Sequence, residues 1–517
     1  MGGPAVGEGL VTDSDTYETS VLHSVTRGAG LSIGGIIVQR GFAFATNLLL
    51  TSALGVAAYG LYALGFRIIS LLQGFAPLGS NPTLIRLLPK HTADPERQGR
   101  VLGIAHLTTV VTSLTLAGAL FALAPRIQTE MATAQSFVPV LRTFALFLPL
   151  IVLVWQLADV FRAFERIEYQ VLFVRLLVPA SQLLAVALAF VLAFSLLETI
   201  VSIVFAMFAV FVVASVLTVR ALPCRPSLPR SLAELREFFN FALPNSLANA
   251  GAVLRSRIDV LLVGALLSSE AAGIYNIALF LTGLIALPLL SINQLFPPVA
   301  SRLYSDGDIE TLQATYSTAT RWIITAALLI AVYHIAFRGP LLSVFGPSYR
   351  RGELVLAVFA VGQVVNSSVG SAGWLLLMTD HQYVGALNNW LLGITNVALS
   401  YVLILEYGLI GAALGTAGSL AVVNCLRVAE LWYLEGLQPY NRAFFKPGIA
   451  ALVAAVVGTQ IGRVLTGVPL LLVGAVTTFV VFVTVLVVLG PEPEDRTLGR
   501  TVRRVIVERI GAGVFTR

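Results

Sequence analysis

Apolar residues run through the chain in blocks of about 20, the length that crosses a bilayer core of about 30 Å as a helix. Fourteen such blocks predict fourteen transmembrane helices, at roughly 26–54, 59–80, 101–124, 137–161, 169–194, 197–219, 242–267, 271–296, 322–345, 353–378, 382–405, 408–434, 447–464 and 468–489. An all-α fold is expected, because a lipid-exposed backbone must satisfy its own hydrogen bonds. One polar break at 220–241 contains RALPCRPSLPRSLAELREFF and divides the blocks six and eight. Its prolines are expected to end the sixth span. Ser231 and Glu234 stand in capping-box spacing and predict a short interfacial helix, with Leu232, Leu235, Phe238 and Phe239 on one side. The expected organisation is therefore a tail over 1–25, a six-helix bundle over 26–219, a linker over 220–241, a second bundle over 242–434, two further spans within 447–489, and a basic tail over 490–517.

Composition agrees with the pattern. Of the 517 residues 57% are hydrophobic and 12% charged, with a mean hydropathy of +0.87, against about 25% charged in a soluble domain. The N-terminus lacks the basic-then-apolar pattern of a cleaved signal peptide, so the first span is expected to be the insertion signal. Placing both termini in the cytoplasm puts twenty-one Lys and Arg residues on that side and six on the other, as the positive-inside rule requires. Cys224 and Cys425 are far apart and imply no disulfide framework. There is no P-loop, no metal-ligand spacing around His106 or His334, and no long outer loop that could form a catalytic domain. The expectation is a multi-pass cell-membrane protein that is not an enzyme and needs no cofactor.

The chain also repeats itself. ALGVAAYGLY (53–62) recurs as ALLSSEAAGIY (265–275) with one residue inserted, and this register sets Asn47 opposite Asp259. Six spans separate the copies, so the two sets share one orientation, as in transporters built from parallel repeats.

Charged and amide side chains fall inside the spans. At 100° per residue Gln39, Arg40 and Asn47 share one face of the first span, with Arg67 and Gln73 on the second. Asn249, Arg255 and Asp259 form a stripe on the seventh, with Arg257 pointing elsewhere; Gln363 and Asn366 lie on the tenth, and Asn388, Asn389 and Asn396 on the eleventh. Each mid-membrane Arg costs about 2.5–3.5 kcal/mol or more. Arg40, Arg67, Arg255 and Arg257 must therefore line a wet cavity or be paired inside a bundle. Asp259 is the one nearby mid-span countercharge, so the excess of positive charge points to an anionic substrate such as a phosphate or diphosphate. The alternative is structural pairing, Arg255 with Asp259. Asp159, Arg175, Arg427 and Glu430 are placed near span ends, where snorkelling is easy. Gly411-x-x-x-Gly415 reads as helix packing. Trp374 could pack or stack on a sugar.

Longer stretches carry a resemblance. YGLYALGFRIISLLQGFAPLGSNPTLIRLLPKH (59–91) resembles the second span and following loop of polysaccharide-type flippases. AGIYNIALFLTGLIALPLLSINQLFPPVASRLYSDGDIETLQATYSTATRW (272–322) resembles the same region of their second half. NVALSYVLILEYGLIGAALGTAGSL (396–420) and FRAFERIEYQ (161–170) extend the match in order over most of 27–435. The family is the oligosaccharide and polysaccharide flippase branch of the multidrug/oligosaccharidyl-lipid/polysaccharide exporter superfamily, which includes Wzx-type O-unit flippases and is similar to the lipid II flippases. The resemblance implies a V-shaped pair of six-helix bundles plus two C-terminal helices. It implies alternating-access transport of a polyprenyl-diphosphate-linked oligosaccharide from the inner to the outer leaflet. Arg40, Arg67, Arg255 and Arg257 are then the expected diphosphate ligands. Gln39, Asn47, Gln73, Asn249, Asp259, Gln363, Asn366 and Asn389 are the expected polar lining. The implied partners are the lipid-linked oligosaccharide, membrane lipids and glycan-assembly enzymes, with no nucleic acid, and the implied state is a monomer. Two other readings stay open: a multidrug or cation antiporter of the same superfamily, and a membrane glycan polymerase or ligase.

Overall fold

A computed structural model describes residues 12–131, 136–222, 224–255 and 258–495, with backbone alone for 12–33 and 248–255. Helices follow one another with no strand among the described residues. The chain divides into two compact units, Met1–Val253 and Leu254–Arg517.

The first unit holds α1 (Thr12–Phe75), α2 (Ser80–Lys90), α3 (Pro95–Glu130), α4 (Phe137–Ala163), α5 (Ile167–Gln170), a π-helical segment (Val171–Leu177), α6 (Val178–Val191), α7 (Leu196–Ala221) and α8 (Leu232–Arg255). The second holds α9 (Ile258–Leu266), α10 (Ser269–Thr282), α11 (Leu287–Ser305), α12 (Ile309–Ala336), α13 (Arg338–Ser343), α14 (Glu353–Ser368), α15 (Ala372–Met378), α16 (Gln382–Glu435), α17 (Lys446–Val464) and α18 (Gly467–Val488).

Ten helical stretches among the described residues are long and apolar enough to cross a membrane, or eleven if the bent pair Ser269–Thr282 and Leu287–Ser305 is one span. That is fewer than the fourteen blocks read from the pattern, for two visible reasons. The stretches containing α1 and α16 are each more than double a span's length and are interrupted by non-helical glycines, Gly55 (φ 72°) and Gly408 (φ 57°). The Tyr59 hydroxyl donates to Asn47 Oδ1 at 2.6 Å, twelve residues away. A straight helix would hold those residues about 18 Å apart, so α1 folds back at Gly55. Likewise Asn396 Nδ2 donates to Ser419 Oγ at 3.3 Å across Gly408. The first and second expected spans, and the eleventh and twelfth, are thus helical hairpins closed by glycines that reach φ values other residues avoid. The seventh expected span is crossed by residues 256–257, which lie outside the described residues.

Two boundaries differ from expectation. Helix begins at Thr12, inside the stretch read as a tail over 1–25. The linker helix is not short. It runs on through Pro244 to Arg255. Its start is as expected: Ser231 Oγ accepts from the Glu234 amide at 3.4 Å. The Glu234 carboxylate reaches the Arg230 amide instead of closing the box on Ser231.

The linker is strapped to α3. Gly99 and Gly103 bring that helix so close that a Cβ on either would lie 2.5 and 1.9 Å from the carbonyl oxygens of Arg225 and Ser227. Arg97–Glu237 at 3.0 Å, Arg100–Glu234 at 2.9 Å and Arg230–Glu96 at 3.1 Å complete the clamp. The Arg230 amide, with Arg100 beside it, holds Glu234 below the usual carboxylate range.

In the first unit the core forms around α4, whose Phe137, Phe144, Phe147 and Phe161 are buried. In the second, Tyr275, Tyr316, Phe337 and Phe345 are buried. α17 and α18 belong to this unit: Ala450, Ala451, Ala454 and Phe482 pack with Val332 of α12. Gly474 faces the Phe337 ring so closely that a Cβ there would lie 2.6 Å from Cζ. The opposite side of α18 exposes Leu472, Val476 and Val480, which suits a helix whose solvent is hydrocarbon.

Candidate functional site

In the first unit the charged centre is made by α1 and the π-helical segment. Pro179 has no N–H to donate four residues back, to the carbonyl of Arg175. The backbone instead takes a wider register in which the Val178 amide donates to Phe173 O, five residues back. This turn presents Arg175 to α1. Gly35 of α1 leaves room, since a Cβ there would lie 3.2 Å from Arg175 Cβ and Cγ. One turn on, Gln39 Oε1 accepts from Arg175 Nη1 at 2.5 Å. Arg40 is half-buried alongside and near enough to Arg175 for the two cations to repel. Among the described residues no carboxylate pairs with either arginine. The same α1 hairpin holds Asn47, which accepts from buried Tyr59 and donates to Ala43 O at 2.8 Å. Arg67 and Gln73 are half-buried on its second arm.

The second unit gathers amides around one arginine. Arg427 Nη2 donates to Asn389 Oδ1 at 3.0 Å and Nη1 to Asn424 Oδ1 at 3.2 Å. Asn424 Nδ2 donates to Asn366 Oδ1 at 3.0 Å. The guanidinium lies over Gly373 of α15, where a Cβ would sit 3.7 Å from Cζ. Gln363 stands half-buried one turn before Asn366 on α14. Nearby on α16, Asn388 Nδ2 donates to Glu430 Oε2 at 2.5 Å.

Asp259 is buried in a separate network. The Tyr275 hydroxyl lies 3.3 Å from Asp259 Oδ2 and 3.2 Å from Thr416 Oγ1, and Asn396 Nδ2 donates to Thr416 Oγ1 at 3.2 Å. Of the remaining expected site residues, Arg257 lies outside the described residues, as do the side chains of Asn249 and Arg255. The pairing of Arg255 with Asp259 falls there too.

The two units share one local device. In each, a polar residue of the first arm, Asn47 or Asp259, takes a hydroxyl from a buried tyrosine of the next, Tyr59 or Tyr275. The repeat register places Asn47 opposite Asp259, but it pairs Tyr275 with Tyr62. The hydroxyl in the first unit comes from one turn earlier.

Two residues read as snorkelling span ends do something else. Arg175 and Arg427 are both half-buried and tied to amide oxygens. An amide oxygen bonded to a guanidinium fixes the direction of its N–H fork without removing its charge. The amides could have pointed to them: Gln39, Asn389 and Asn424 all lie within apolar blocks. Among the described residues no cluster of His, Cys, Asp or Glu could hold a metal ion.

Residues 25–303, more than half of the chain, match the family described as polysaccharide biosynthesis protein. Residues 244–402 match the MatE family. The chain is 27% identical over 231 residues to the uncharacterized membrane protein EpsK of Bacillus subtilis (strain 168), covering 43% of this chain and 44% of that protein. It is 25% identical over 208 residues to the probable low-salt glycan biosynthesis flippase Agl15 of Haloferax volcanii, covering 39% and 43%. The chain thus spans less than half the length of these curated relatives. Its fold is similar to that of a solved lipid II flippase, MurJ in an inward closed conformation, with a TM-score of 0.71 and 12% identity over 88% of this chain and 97% of that one.

Proposed function

The chain belongs to the polysaccharide biosynthesis protein family, and from that premise we propose that it is a flippase for a lipid-linked oligosaccharide carried on a polyprenyl diphosphate. Transport runs from the inner to the outer leaflet by alternating access, with both termini in the cytoplasm. Its working parts are the bundles over 26–219 and 242–434, joined by 220–241.

The observation that carries this reading is the Gln39–Arg40–Arg175 cluster. Two half-buried guanidinium groups stand together in membrane-spanning helices, one of them bonded to the Gln39 amide, and among the described residues no carboxylate pairs with either. Such a pair is expensive in a membrane and is relieved by an anion. A diphosphate supplies several oxygens for the parallel N–H bonds of a guanidinium fork. Arg67, Arg255 and Arg257 are likewise assigned to diphosphate binding. In the second unit Arg427, framed by Asn366, Asn389 and Asn424, offers a cation beside the amides that sugar hydroxyls require. The flippase named among the relatives and the lipid II flippase fold support the substrate class.

The MatE match over 244–402 favours a second reading, a multidrug or cation antiporter. The two differ in the sign of the ligand. Inorganic pyrophosphate and a polyprenyl diphosphate are expected to raise the melting temperature of the purified protein, because a ligand that binds only the folded state stabilises it. The shift is expected to vanish in Arg40→Gln/Arg175→Gln. Stabilisation by organic cations, and none by pyrophosphate, would reverse the assignment.

A further inference from the structure

α1 and α2 are separated by a short break, and the chain restarts there under constraint. Leu78 (φ 47°) and Gly79 (φ 75°) both take left-handed backbone. Gly79 is obligatory, since a Cβ would lie 1.9 Å from Ala242 O. Thr112 Oγ1 donates to Ala76 O across the break. The first turn of α2 then carries Asn81, whose Nδ2 donates to Asp159 Oδ2 of α4 at 2.8 Å.

Two features of this contact are not explained by packing. Asp159 is a half-buried carboxylate in a membrane-spanning helix with no ion pair among the described residues; the charge that acts on it is Arg162, one turn along the same helix. Arg86 of α2 is turned away over the Phe241 ring. Arg97 and Arg100 of α3 are engaged by Glu237 and Glu234. Secondly, Asn81 Oδ1 is buried and receives no hydrogen bond. A buried acceptor without a donor costs about 1–3 kcal/mol, and here it lies on the same amide that touches a carboxylate.

We propose that Asp159 and Asn81 form a proton-binding site that couples proton uptake to the hold of α4 on α2. An added proton on Asp159 Oδ1 makes that oxygen a donor, and Asn81 Oδ1, on the amide already bonded to Asp159, is a buried acceptor without a donor. The Nδ2–H···Oδ2 bond is kept and an Oδ1–H···Oδ1 bond is added, closing a two-bond ring between acid and amide. No group is orphaned in the protonated state. Nothing is oxidised or reduced; one proton enters and the carboxylate charge disappears. Asp159 is not fully enclosed, which leaves a route for it. A single carboxylate supplies too few oxygens for a divalent cation.

The consequence falls on α2. A charge-assisted bond is roughly twice as strong as a neutral one, and a carboxylate also favours the positive end of the helix it faces. Protonation thus exchanges one charge-assisted bond for two neutral ones and removes the charge that faces the first turn of α2, which changes how that helix is held beside the left-handed break at Leu78 and Gly79.

The test uses the full chain in lipid bilayers and has two arms. In infrared difference spectra through a pH titration, wild type is expected to show a carboxylic-acid C=O band that is absent in Asp159→Asn and moved in pH midpoint in Asn81→Ala. In vesicles, a one-unit pH gradient is expected to skew the steady-state leaflet distribution of a labelled polyprenyl-diphosphate oligosaccharide by up to about tenfold for one coupled proton. Asp159→Asn, which can still bond Asn81, is expected to exchange the lipid without skew. The second arm rests on the proposed function; the first does not, so a wrong substrate leaves the band to decide. A band that persists in Asp159→Asn, a band displaced by sodium at constant pH, or an equal skew in the variant would overturn the proposal.

Discussion

Arg175 shows how far a single side chain depends on the backbone around it. Its place against Gln39 follows from Pro179, which shifts the preceding turn into π register. A helical wheel drawn at 100° per residue misplaces everything beyond such a turn, which is why Arg175 is not legible as a neighbour of Gln39. Gln39, Arg40 and Asn47 are legible, because α1 is regular over their length. Truncating Arg175 removes a charged hydrogen-bond partner worth about 1.5–3 kcal/mol. Arg175→Ala is therefore expected to weaken pyrophosphate binding at least about tenfold in calorimetry, and Arg175→Lys to restore it only in part, since an ammonium cannot form the fork. Tyr275→Phe takes one donor from buried Asp259 and is expected to lower stability by about 1 kcal/mol in denaturant titration. Tyr59→Phe does the same to Asn47 in the first unit.

At the scale of elements, the hairpins at Gly55 and Gly408 decide what meets what. Within α16, Gly411 and Gly415 let the second arm lie on the backbone of the first: a Cβ at Gly411 would lie 1.8 Å from Leu403 O, and one at Gly415 2.6 Å from Ser400 Cα. Gly418, in the same arm, has open space. Gly411→Ala is expected to cost about 1–3 kcal/mol, as overpacking does. Gly418→Ala is expected to be neutral or to stabilise by up to about 1 kcal/mol. Thermal melting in detergent separates the two; equal melting temperatures would remove the close approach. The small-residue spacing itself was readable as packing. Its partner was not, because nothing in a run of apolar residues shows that Leu403, rather than another helix, is the neighbour. The continuity of α8 was equally hidden: a polar-to-apolar change at about residue 242 looks like a boundary, yet a helix crosses such a change freely.

At the scale of the molecule, the end of the last span is latched to its own unit. Arg321, buried in α12, donates to Asp495 at 2.6 Å, Trp322 Nε1 donates to Asp495 at 2.9 Å, and Lys446 of α17 bonds Glu492 at 2.6 Å. Burial pushes the Asp495 carboxyl up, but the bonds from Arg321 and Trp322 outweigh it and hold it below the usual range. A carboxyl with a depressed folded value adds stability above its unfolded value and loses it as pH falls through the folded one. The latch is therefore expected to hold at neutral pH and weaken below about pH 4. Acid is expected to lower the melting temperature more in wild type than in Arg321→Gln. The all-α character was legible from the apolar blocks alone. This latch was not, because PEPED reads as an ordinary solvated tail until Arg321 is seen to be buried. The central claim is that the arginine cluster of the first unit carries an anionic lipid-linked glycan across the membrane. It is tested most directly by leaflet exchange in reconstituted vesicles, using a labelled polyprenyl-diphosphate oligosaccharide and a membrane-impermeant quencher. Wild type is expected to expose the inner-leaflet label to the quencher, and folded Arg40→Gln/Arg175→Gln to do so at least about a hundredfold more slowly. Equal rates in the two proteins would contradict the account.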